Sequence, residues 1–364
     1  MKLSSQLPVW SIIGPIAAWA LLALKLTGRG SELGELLEAL LVAGLIAGIL
    51  AAVFHAEVVA HRVGEPYGTL VLALAVTGIE VALIVSLMIA GGEAASGLAR
   101  DTVFASVMII LNGMVGLCLL SGGRRHREQS FSLFGVSAAL VTLAAISVLT
   151  LVLPNYTTTT PGPVYSTSQL TFIAVVSLIL YSVFLLVQTV RHRDYFLPAA
   201  DESDEAVHAP PPSNNMTGLS VILLLACLGS VVLLAKALSP TLEVIVGSLG
   251  APKALVGIII AVVVLLPESI AAYQAARANR LQTSLNLALG SALASIGLTI
   301  PAVSILSLMT GWTLSLGIDA KSTVLLVLSL FVASLSLGTG RTTVMQGTVH
   351  LVIFAVYLFT AIVP

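Results

Sequence analysis

Eleven long apolar stretches decide what this chain can fold into. Each has about 20 residues or more with few charges, which is the length that an α-helix needs to cross the hydrocarbon core of a bilayer. The stretches lack the ten-residue alternation of a membrane β-barrel, so helices are predicted. The second stretch is unusually long, and the seventh continues through the segment 242–249, which predicts a tilted or bent helix for each of the two. The predicted spans are 8–27, 34–60, 67–91, 102–121, 133–153, 167–190, 217–238, 254–276, 283–309, 321–339 and 343–363.

The composition agrees with a protein whose main solvent is lipid. Of the 364 residues, 57% are hydrophobic and 9% are charged, whereas soluble domains have about 25% charged residues. The net charge of -1 excludes a broad basic surface for nucleic acid. Cys118 and Cys227 lie inside apolar stretches, as small core residues do. We therefore expect an all-α integral membrane protein with the lipid bilayer around it, and neither a cofactor nor an obligate protein partner.

The distribution of lysine and arginine predicts the orientation in the membrane. Cytoplasmic loops carry an excess of these residues, and the loop 154–166 carries no charge. Met1 and Lys2 are followed by an apolar stretch without a cleavage site, so an uncleaved first span is expected. The prediction is a multi-pass protein of the cell inner membrane with a cytoplasmic N-terminus and an extracytoplasmic C-terminus. The cytoplasmic ends would then hold Lys2, Arg62, Arg124, Arg125, Arg127, Arg191, Arg193, Arg277, Arg280 and Arg341.

Two halves of the chain resemble each other. Glu57-Val58-Val59 stands seven residues before Gly64-Glu65-Pro66, and Glu243-Val244-Ile245 stands seven residues before Gly250-Ala251-Pro252. Each block is followed by an apolar span with one glutamate in its middle, and the next spans align without a gap, 102–117 with 283–298. The order and spacing of these matches indicate an internal repeat.

The repeat predicts an inverted architecture. Each half has five spans, and an odd number makes the halves enter the membrane in opposite directions, as in many secondary transporters, whose site lies near the midplane. The stretch between the halves contains four acidic residues within 201–205, followed by Pro210, Pro211 and Pro212, and is predicted to be a solvated linker or a cation-attracting segment. The predicted organisation is an extra N-terminal helix at 1–30, a first five-helix repeat at 31–190, an acidic cytoplasmic linker at 191–216 and a second five-helix repeat at 217–364.

Two glutamates lie in the middle of apolar spans, where a charged side chain is unfavourable. Of the 17 acidic residues, Glu80 and Glu268 fall near the middle of a span, without lysine or arginine at a comparable depth in the same span. Placing a carboxylate at bilayer depth costs about 3 kcal/mol or more, so it needs a partner, a proton or water. A bound cation or a proton is the remaining partner.

Paired carboxylates suggest an exchange mechanism. If Glu80 and Glu268 meet across the repeat axis, they repel each other when both are ionised, and the pKa of at least one rises. One divalent cation cancels both charges, and two protons do the same. Cation and protons therefore compete for one site, and hard oxygen ligands favour Ca²⁺.

Nearby residues are candidates to complete the cation shell. Gly78 precedes Glu80 by two residues, and Pro267 immediately precedes Glu268 and frees a helical carbonyl. Ser291 and Ser295 are four residues apart and share a helix face. The polar candidates in the following spans are Ser106, Asn112, Asn286, Ser291 and Ser295.

Several segments resemble a known family. These are 61–68 running into 80–86, then Leu266-Pro267-Glu268-Ser269, 286–301 and 338–342. They resemble bacterial calcium/proton antiporters of the cation/calcium exchanger superfamily, in its cation/proton branch. The resemblance implies an eleven-span inverted repeat, proton-coupled calcium export, and a paired-glutamate metal site at Glu80 and Glu268. It also implies that Asn112 matches a polar position of the family's fourth span.

Other functions compete with calcium/proton exchange. A Na⁺ or K⁺/proton antiporter could use the same two glutamates, and a passive cation channel is a more remote alternative. An intramembrane hydrolase is a third, suggested by His55, Glu57 and His61. Their spacing is His-x-Glu-x-x-x-His rather than His-Glu-x-x-His, so the histidines do not share a helix face as zinc requires. The chain is therefore not expected to be an enzyme.

Overall fold

The computed structural model describes residues 7–28, 33–64, 67–197, 212–248, 252 and 254–363. Glu65, Pro66, the acidic cluster of the linker, Gly250 and Ala251 lie outside the described residues. The α-helices are α1 (Val9–Leu26), α2 (Glu35–Val63), α3 (Tyr67–Gly91), α4 (Leu98–Met108), α5 (Val115–His126), α6 (Leu133–Ser147), α7 (Thr167–Leu186), α8 (Asn214–Ser248), α9 (Ala254–Arg277), α10 (Leu281–Thr310), α11 (Ala320–Leu337) and α12 (Val344–Ile362).

Shorter elements join or interrupt these helices. The π-helical turn Ile109–Met114 connects α4 to α5, and further π turns follow α6 (Val148–Val152) and α7 (Val187–Arg191). Two short strands, β1 (Gln129–Ser130) and β2 (Arg341–Thr342), pair antiparallel. Turns of 3₁₀ helix cover Gly92–Ala95, Leu153–Tyr156 and Arg193–Tyr195.

The predicted eleven spans are confirmed for the described part of the chain. Eleven helical segments there are long and apolar enough to cross a membrane, with α4, its π turn and α5 forming one of them. The prediction that the seventh span continues past residue 241 is also confirmed, because α8 runs to Ser248 with Pro240 inside it. Large side chains such as Trp10, Phe172 and Phe331 are exposed, as expected of surfaces that face lipid.

The chain forms two compact units that do not coincide with the sequence halves. Unit 1 comprises Met1–Ala90 with Ala206–Gly250, and unit 2 comprises Gly91–Glu205 with Ala251–Pro364. Each unit therefore takes segments from both halves. The division by repeat reflects sequence similarity, whereas the division into units reflects packing.

In unit 1, helices α1, α2 and α8 pack together. Their shared core contains Ala18, Leu22, Leu37, Leu41, Leu234 and Leu238. His55 is fully buried among them, with Nε2 3.0 Å from the Ser11 carbonyl oxygen and Nδ1 3.3 Å from Ser220 Oγ. Both ring nitrogens thus tie three helices together, which gives His55 a structural role and leaves the hydrolase alternative without support.

Unit 2 is built alike at its two ends. At one end, which we call the arginine-rich end, the loop after α5 pairs with the loop before α12 through β1 and β2. This end carries Arg124, Arg125, Arg127, Arg277, Arg280 and Arg341. At the opposite end, the loop after α10 pairs with the loop before α7, through a bridge between Val164 and Ser315. The helix that follows each pairing begins with the same capping box, Ser166 with Gln169 in α7 and Thr343 with Gln346 in α12.

The helix contacts of unit 2 repeat in the same way. Gly116 lets α12 approach, since an added Cβ would lie 3.1 Å from the Cβ of His350. Gly297, the residue aligned with Gly116, lets α7 approach, since an added Cβ would lie 2.8 Å from the Cβ of Tyr181. The last helix of each half thus packs on a middle helix of the other half, the arrangement that two inverted halves would produce.

Candidate functional site

Glu80 lies in the middle of α3 in unit 1 and is 3% exposed. The helix is continuous through the residues before it, so no broken segment exposes several carbonyls there. At Gly78, an added Cβ would meet no atom of the described residues within 4 Å. The main chain one half-turn before the carboxylate is therefore accessible.

Glu268 lies in α9 of unit 2 and is partly buried. Pro267 sits inside this continuous helix, and proline removes the hydrogen bond that the carbonyl four residues earlier would accept. That carbonyl belongs to Val263. The proline thus supplies a free main-chain acceptor one turn from the carboxylate without breaking the helix.

The depth of Glu268 follows from contacts at both ends of α9. Near its start, an added Cβ at Gly257 would lie 3.1 Å from the main chain of Asp101 in α4. At its end, His126 Nε2 in α5 hydrogen-bonds to the Arg277 carbonyl oxygen at 3.0 Å. The two spans therefore run parallel, and at a rise of about 1.5 Å per residue Glu268 comes to the level of the π turn Ile109–Met114.

Asn112 occupies this π turn and is fully buried. Its Nδ2 donates to Ser329 Oγ in α11 at 2.8 Å and lies 3.9 Å from the Met108 sulfur. Its Oδ1 has no hydrogen-bond partner among the described residues. Single π turns within α-helices occur frequently at functional sites, and the turn here packs against α9, α10, α11 and α12.

The serine candidates are distributed along the same unit. Ser106 and Ser295 are fully buried, and Ser291 is partly buried. Helices α9 and α10 meet at the arginine-rich end, so depth can be counted from there at about 1.5 Å per residue. By that count Ser291 lies at about the depth of Glu268, Ser295 about one turn farther, and Ser106 closer to the opposite end.

Asn286 lies nearer the arginine-rich end than the other candidates. Its Nδ2 donates to the Phe196 carbonyl oxygen at 2.5 Å, and its Oδ1 accepts from Gln282 Nε2 at 2.8 Å. Both ends of this amide are engaged in fixing the segment that follows α7.

Two further polar contacts lie near the π turn. Ser329 is fully buried and bonded to Asn112. His350 in α12 is fully buried, with Nε2 2.7 Å from Ser336 Oγ. Serines in α11 look like ordinary small packing residues in a membrane helix, and only the tertiary contact distinguishes Ser329.

The polar groups at this depth in unit 2, from side chains and main chain, suit a hard cation. They offer one carboxylate, an amide oxygen, hydroxyls and a freed carbonyl, and oxygen ligands of these types bind Ca²⁺ and other hard cations. A site of this kind can also take up protons at its carboxylate.

Comparison with known proteins shows the family of the chain. The sequence model described as sodium/calcium exchanger protein matches residues 36–190 and 219–363. The chain therefore belongs to the sodium/calcium exchanger family, within the cation/calcium exchanger superfamily. The two matched segments fall within the predicted repeats 31–190 and 217–364.

Two relatives match most of the chain. The provisionally named ionic transporter y4hA of Sinorhizobium fredii is 50% identical over 362 residues, covering 99% of this chain and 98% of that protein. The sodium-potassium/proton antiporter ChaA of Escherichia coli is 40% identical over 308 residues, covering 84% of this chain and 83% of ChaA.

A solved structure shares the fold. Native YfkE superposes with a TM-score of 0.72 at 19% identity, covering 96% of this chain and 99% of YfkE. YfkE is described as a Ca²⁺/H⁺ antiporter protein in its selenium-substituted form. At this identity the likeness concerns the fold alone.

Proposed function

We propose that this chain is a cation/proton antiporter of the cell inner membrane that exchanges Ca²⁺ for H⁺ by alternating access. The observation that carries the proposal is the burial of Glu80, which is 3% exposed within an apolar helix, together with its repeat counterpart Glu268. A carboxylate at this depth is costly while it is charged, and a bound cation or a proton removes that charge.

The mechanism follows from charge balance at the two repeat-related glutamates. With both ionised, one Ca²⁺ neutralises them, and two protons do the same after the cation leaves. A site that must be neutral to be stable in the membrane interior loads either cargo but not both. Exposure of the loaded site to one side and then the other yields exchange.

The proposed ligands beside Glu268 are those at or near its depth. Asn112 Oδ1 and the hydroxyls of Ser291 and Ser295 are the first choices, with Ser106 farther along the same unit. Gly78 leaves the main chain open near Glu80, and Pro267 frees a carbonyl near Glu268. Asn286 is assigned to packing, because both ends of its amide are already bonded.

Na⁺ or K⁺ is the second candidate cargo. The likeness to ChaA, a sodium-potassium/proton antiporter by name, favours it. A monovalent cation balances one carboxylate, so a monovalent exchanger can keep one glutamate protonated while the other binds the ion. The two cargoes therefore differ in how many ionised glutamates they require.

Everted membrane vesicles with an imposed pH gradient test the proposal. Ca²⁺, Na⁺ and K⁺ are added in turn while the membrane potential is clamped, and dissipation of the gradient is followed with a fluorescent dye. We expect Ca²⁺ to dissipate the gradient in the wild type and not in Glu268→Gln. The matched control is Glu128→Gln, which removes an exposed glutamate paired with Arg341. If no cation dissipates the gradient, the antiporter proposal is wrong, and a cation flux without proton movement would identify a channel.

A further inference from the structure

We propose that Ser329 is a positioning residue that fixes the amide of Asn112 so that its oxygen faces the transported cation. Ser329 lies in α11, outside every sequence segment that pointed to the site. The inference rests on the proposed function, and it makes α11 one of the helices that position a ligand of the site.

The direction of the Asn112 amide follows from the hydrogen bonds of Ser329. A serine hydroxyl has one proton to donate and two lone pairs to accept with. Ser329 Oγ lies 2.7 Å from the Leu325 carbonyl oxygen and 3.5 Å from the Met108 sulfur, a weaker acceptor. Neither atom can donate, so the hydroxyl proton is used by these acceptors, chiefly by the carbonyl oxygen. Ser329 is then an acceptor towards Asn112 at 2.8 Å, and the group that faces it must be the amide nitrogen.

Met108 supports the same orientation. Its sulfur lies 3.9 Å from Asn112 Nδ2 and is itself only a weak acceptor. An amide turned the other way would place its oxygen against two acceptors. The contacts therefore favour the orientation in which the amide nitrogen faces Ser329 and Met108.

The consequence concerns the oxygen of the amide. Asn112 is fully buried, and its Oδ1 has no hydrogen-bond partner among the described residues. A buried acceptor left unbonded destabilises a fold, so its retention calls for a ligand. The turn that carries Oδ1 packs against α9 and α10, at the level of Glu268.

Packing of the repeat does not require an amide at this position. In the gapless alignment of 102–117 with 283–298, the counterpart of Asn112 is Leu293. The counterpart is fully buried and apolar. The asparagine is thus particular to one half, as expected for a ligand rather than for a structural residue.

Cation-dependent proton movement in everted vesicles tests the role of Ser329. CaCl₂, NaCl and KCl are titrated, and KM and the maximal rate are measured for each cation that the wild type exchanges. We expect Ser329→Ala to raise KM by about threefold to tenfold, the effect of losing one hydrogen bond, with a smaller change in the maximal rate. Ser329→Thr keeps the hydroxyl and should restore the KM of the wild type.

Two further variants separate positioning from packing. Ser334→Ala is the matched control, because Ser334 is exposed on the same helix and its hydroxyl also donates to the carbonyl four residues earlier. Ser329→Cys keeps the volume and weakens the acceptor, so it replaces Ser329→Ala if that variant does not reach the membrane. In the double variant Asn112→Ala with Ser329→Ala, KM should equal that of Asn112→Ala alone.

The outcomes distinguish this inference from the function on which it rests. A wild type that exchanges none of the cations overturns the proposed function and the positioning role with it. A wild type that transports, with an unchanged KM in Ser329→Ala and Ser329→Cys or with additive effects in the double variant, overturns the positioning role alone.

Discussion

At the scale of single residues, the two glutamates should report which cation is carried. A divalent cargo needs two ionised carboxylates, so Glu80→Gln and Glu268→Gln should each abolish Ca²⁺-driven proton movement. A monovalent cargo needs one, so Glu80→Gln should then leave part of the Na⁺- or K⁺-driven flux. The measurement is the initial rate in vesicles for each variant and cation. Substantial Ca²⁺ exchange in either variant would contradict the calcium mechanism.

Asp319 is predicted to stabilise the start of α11 in a pH-dependent way. Its Oδ1 accepts from the Ser322 main-chain N–H at 2.6 Å, which caps the helix. Partial burial opposes ionisation, but the hydrogen bonds from Ser322 and the charges of Lys321 and Arg100 outweigh it and lower the pKa of Asp319 below its ordinary value. The stabilisation is therefore present above the ordinary pKa of aspartate and is lost as the pH falls through the lowered value.

Thermal unfolding of the purified protein in detergent checks this effect. Asp319→Ala should lower the free energy of unfolding by about 1 kcal/mol at neutral pH, and the deficit should shrink in acid. Asp319→Asn keeps a capping oxygen and should lose less. An equal deficit for alanine at both pH values would show that ionisation of Asp319 does not contribute.

The residues of the candidate site differ in how far the sequence reveals them. Glu80 and Glu268 can be predicted because a carboxylate in an apolar span is costly wherever it occurs. Ser329 cannot, because a serine in a membrane helix looks like any other until its partner is known. Asn286 is a candidate whose position the sequence alone does not reveal. It is polar and belongs to a span that carries other candidates, but it lies near the start of α10, where it is hydrogen-bonded to Phe196.

At the scale of helices, the crossing of α5 and α12 depends on glycine. An added Cβ at Gly347 would lie 2.8 Å from Leu120 Cα and 2.9 Å from the Gly116 carbonyl oxygen, both main-chain atoms that cannot turn aside. We expect Gly347→Ala to destabilise the protein by about 1–3 kcal/mol. Gly218→Ala in α8 is the control, because an added Cβ there meets no atom within 4 Å in the part of the chain that the structure describes.

The readout is the midpoint of thermal unfolding together with the amount of protein in the membrane. A Gly347→Ala variant as stable as Gly218→Ala would show that the two helices can separate without cost.

The helices themselves were predictable, since apolar length sets their number. The π turn at 109–114 was not, because its one polar residue, Asn112, also fits an ordinary α-helix, and the extra residue in the turn appears only when the helix is built.

At the scale of the whole molecule, the predicted topology can be tested at the two ends of unit 2. If the N-terminus is cytoplasmic, the arginine-rich end faces the cytoplasm and the uncharged loop 157–166 faces outward. Ser130 and Thr158 are exposed at these respective ends, and both natural cysteines are buried. A membrane-impermeant maleimide should label Thr158→Cys in spheroplasts and Ser130→Cys only after permeabilisation. The reverse pattern would invert the topology.

The molecule also shows what a repeat in sequence does and does not predict. The similar halves predicted opposite directions, and the two ends of unit 2 have like loop pairings and like capping boxes. The compact units were not predictable from the repeat, because unit 1 joins α1, α2 and α3 with α8 of the other half. Which helices pack together depends on the shape of their surfaces, which aligned glutamates and glycines do not specify.

The central claim is that a cation and protons compete for Glu80 and Glu268. It is tested most directly by the protons released when CaCl₂ is added to the purified protein in weakly buffered detergent solution with a pH-sensitive dye, with NaCl and KCl as comparisons. The account predicts proton release on cation binding, weaker apparent affinity at lower pH, and neither effect in Glu268→Gln. Cation binding that releases no protons and keeps the same affinity across pH would contradict it.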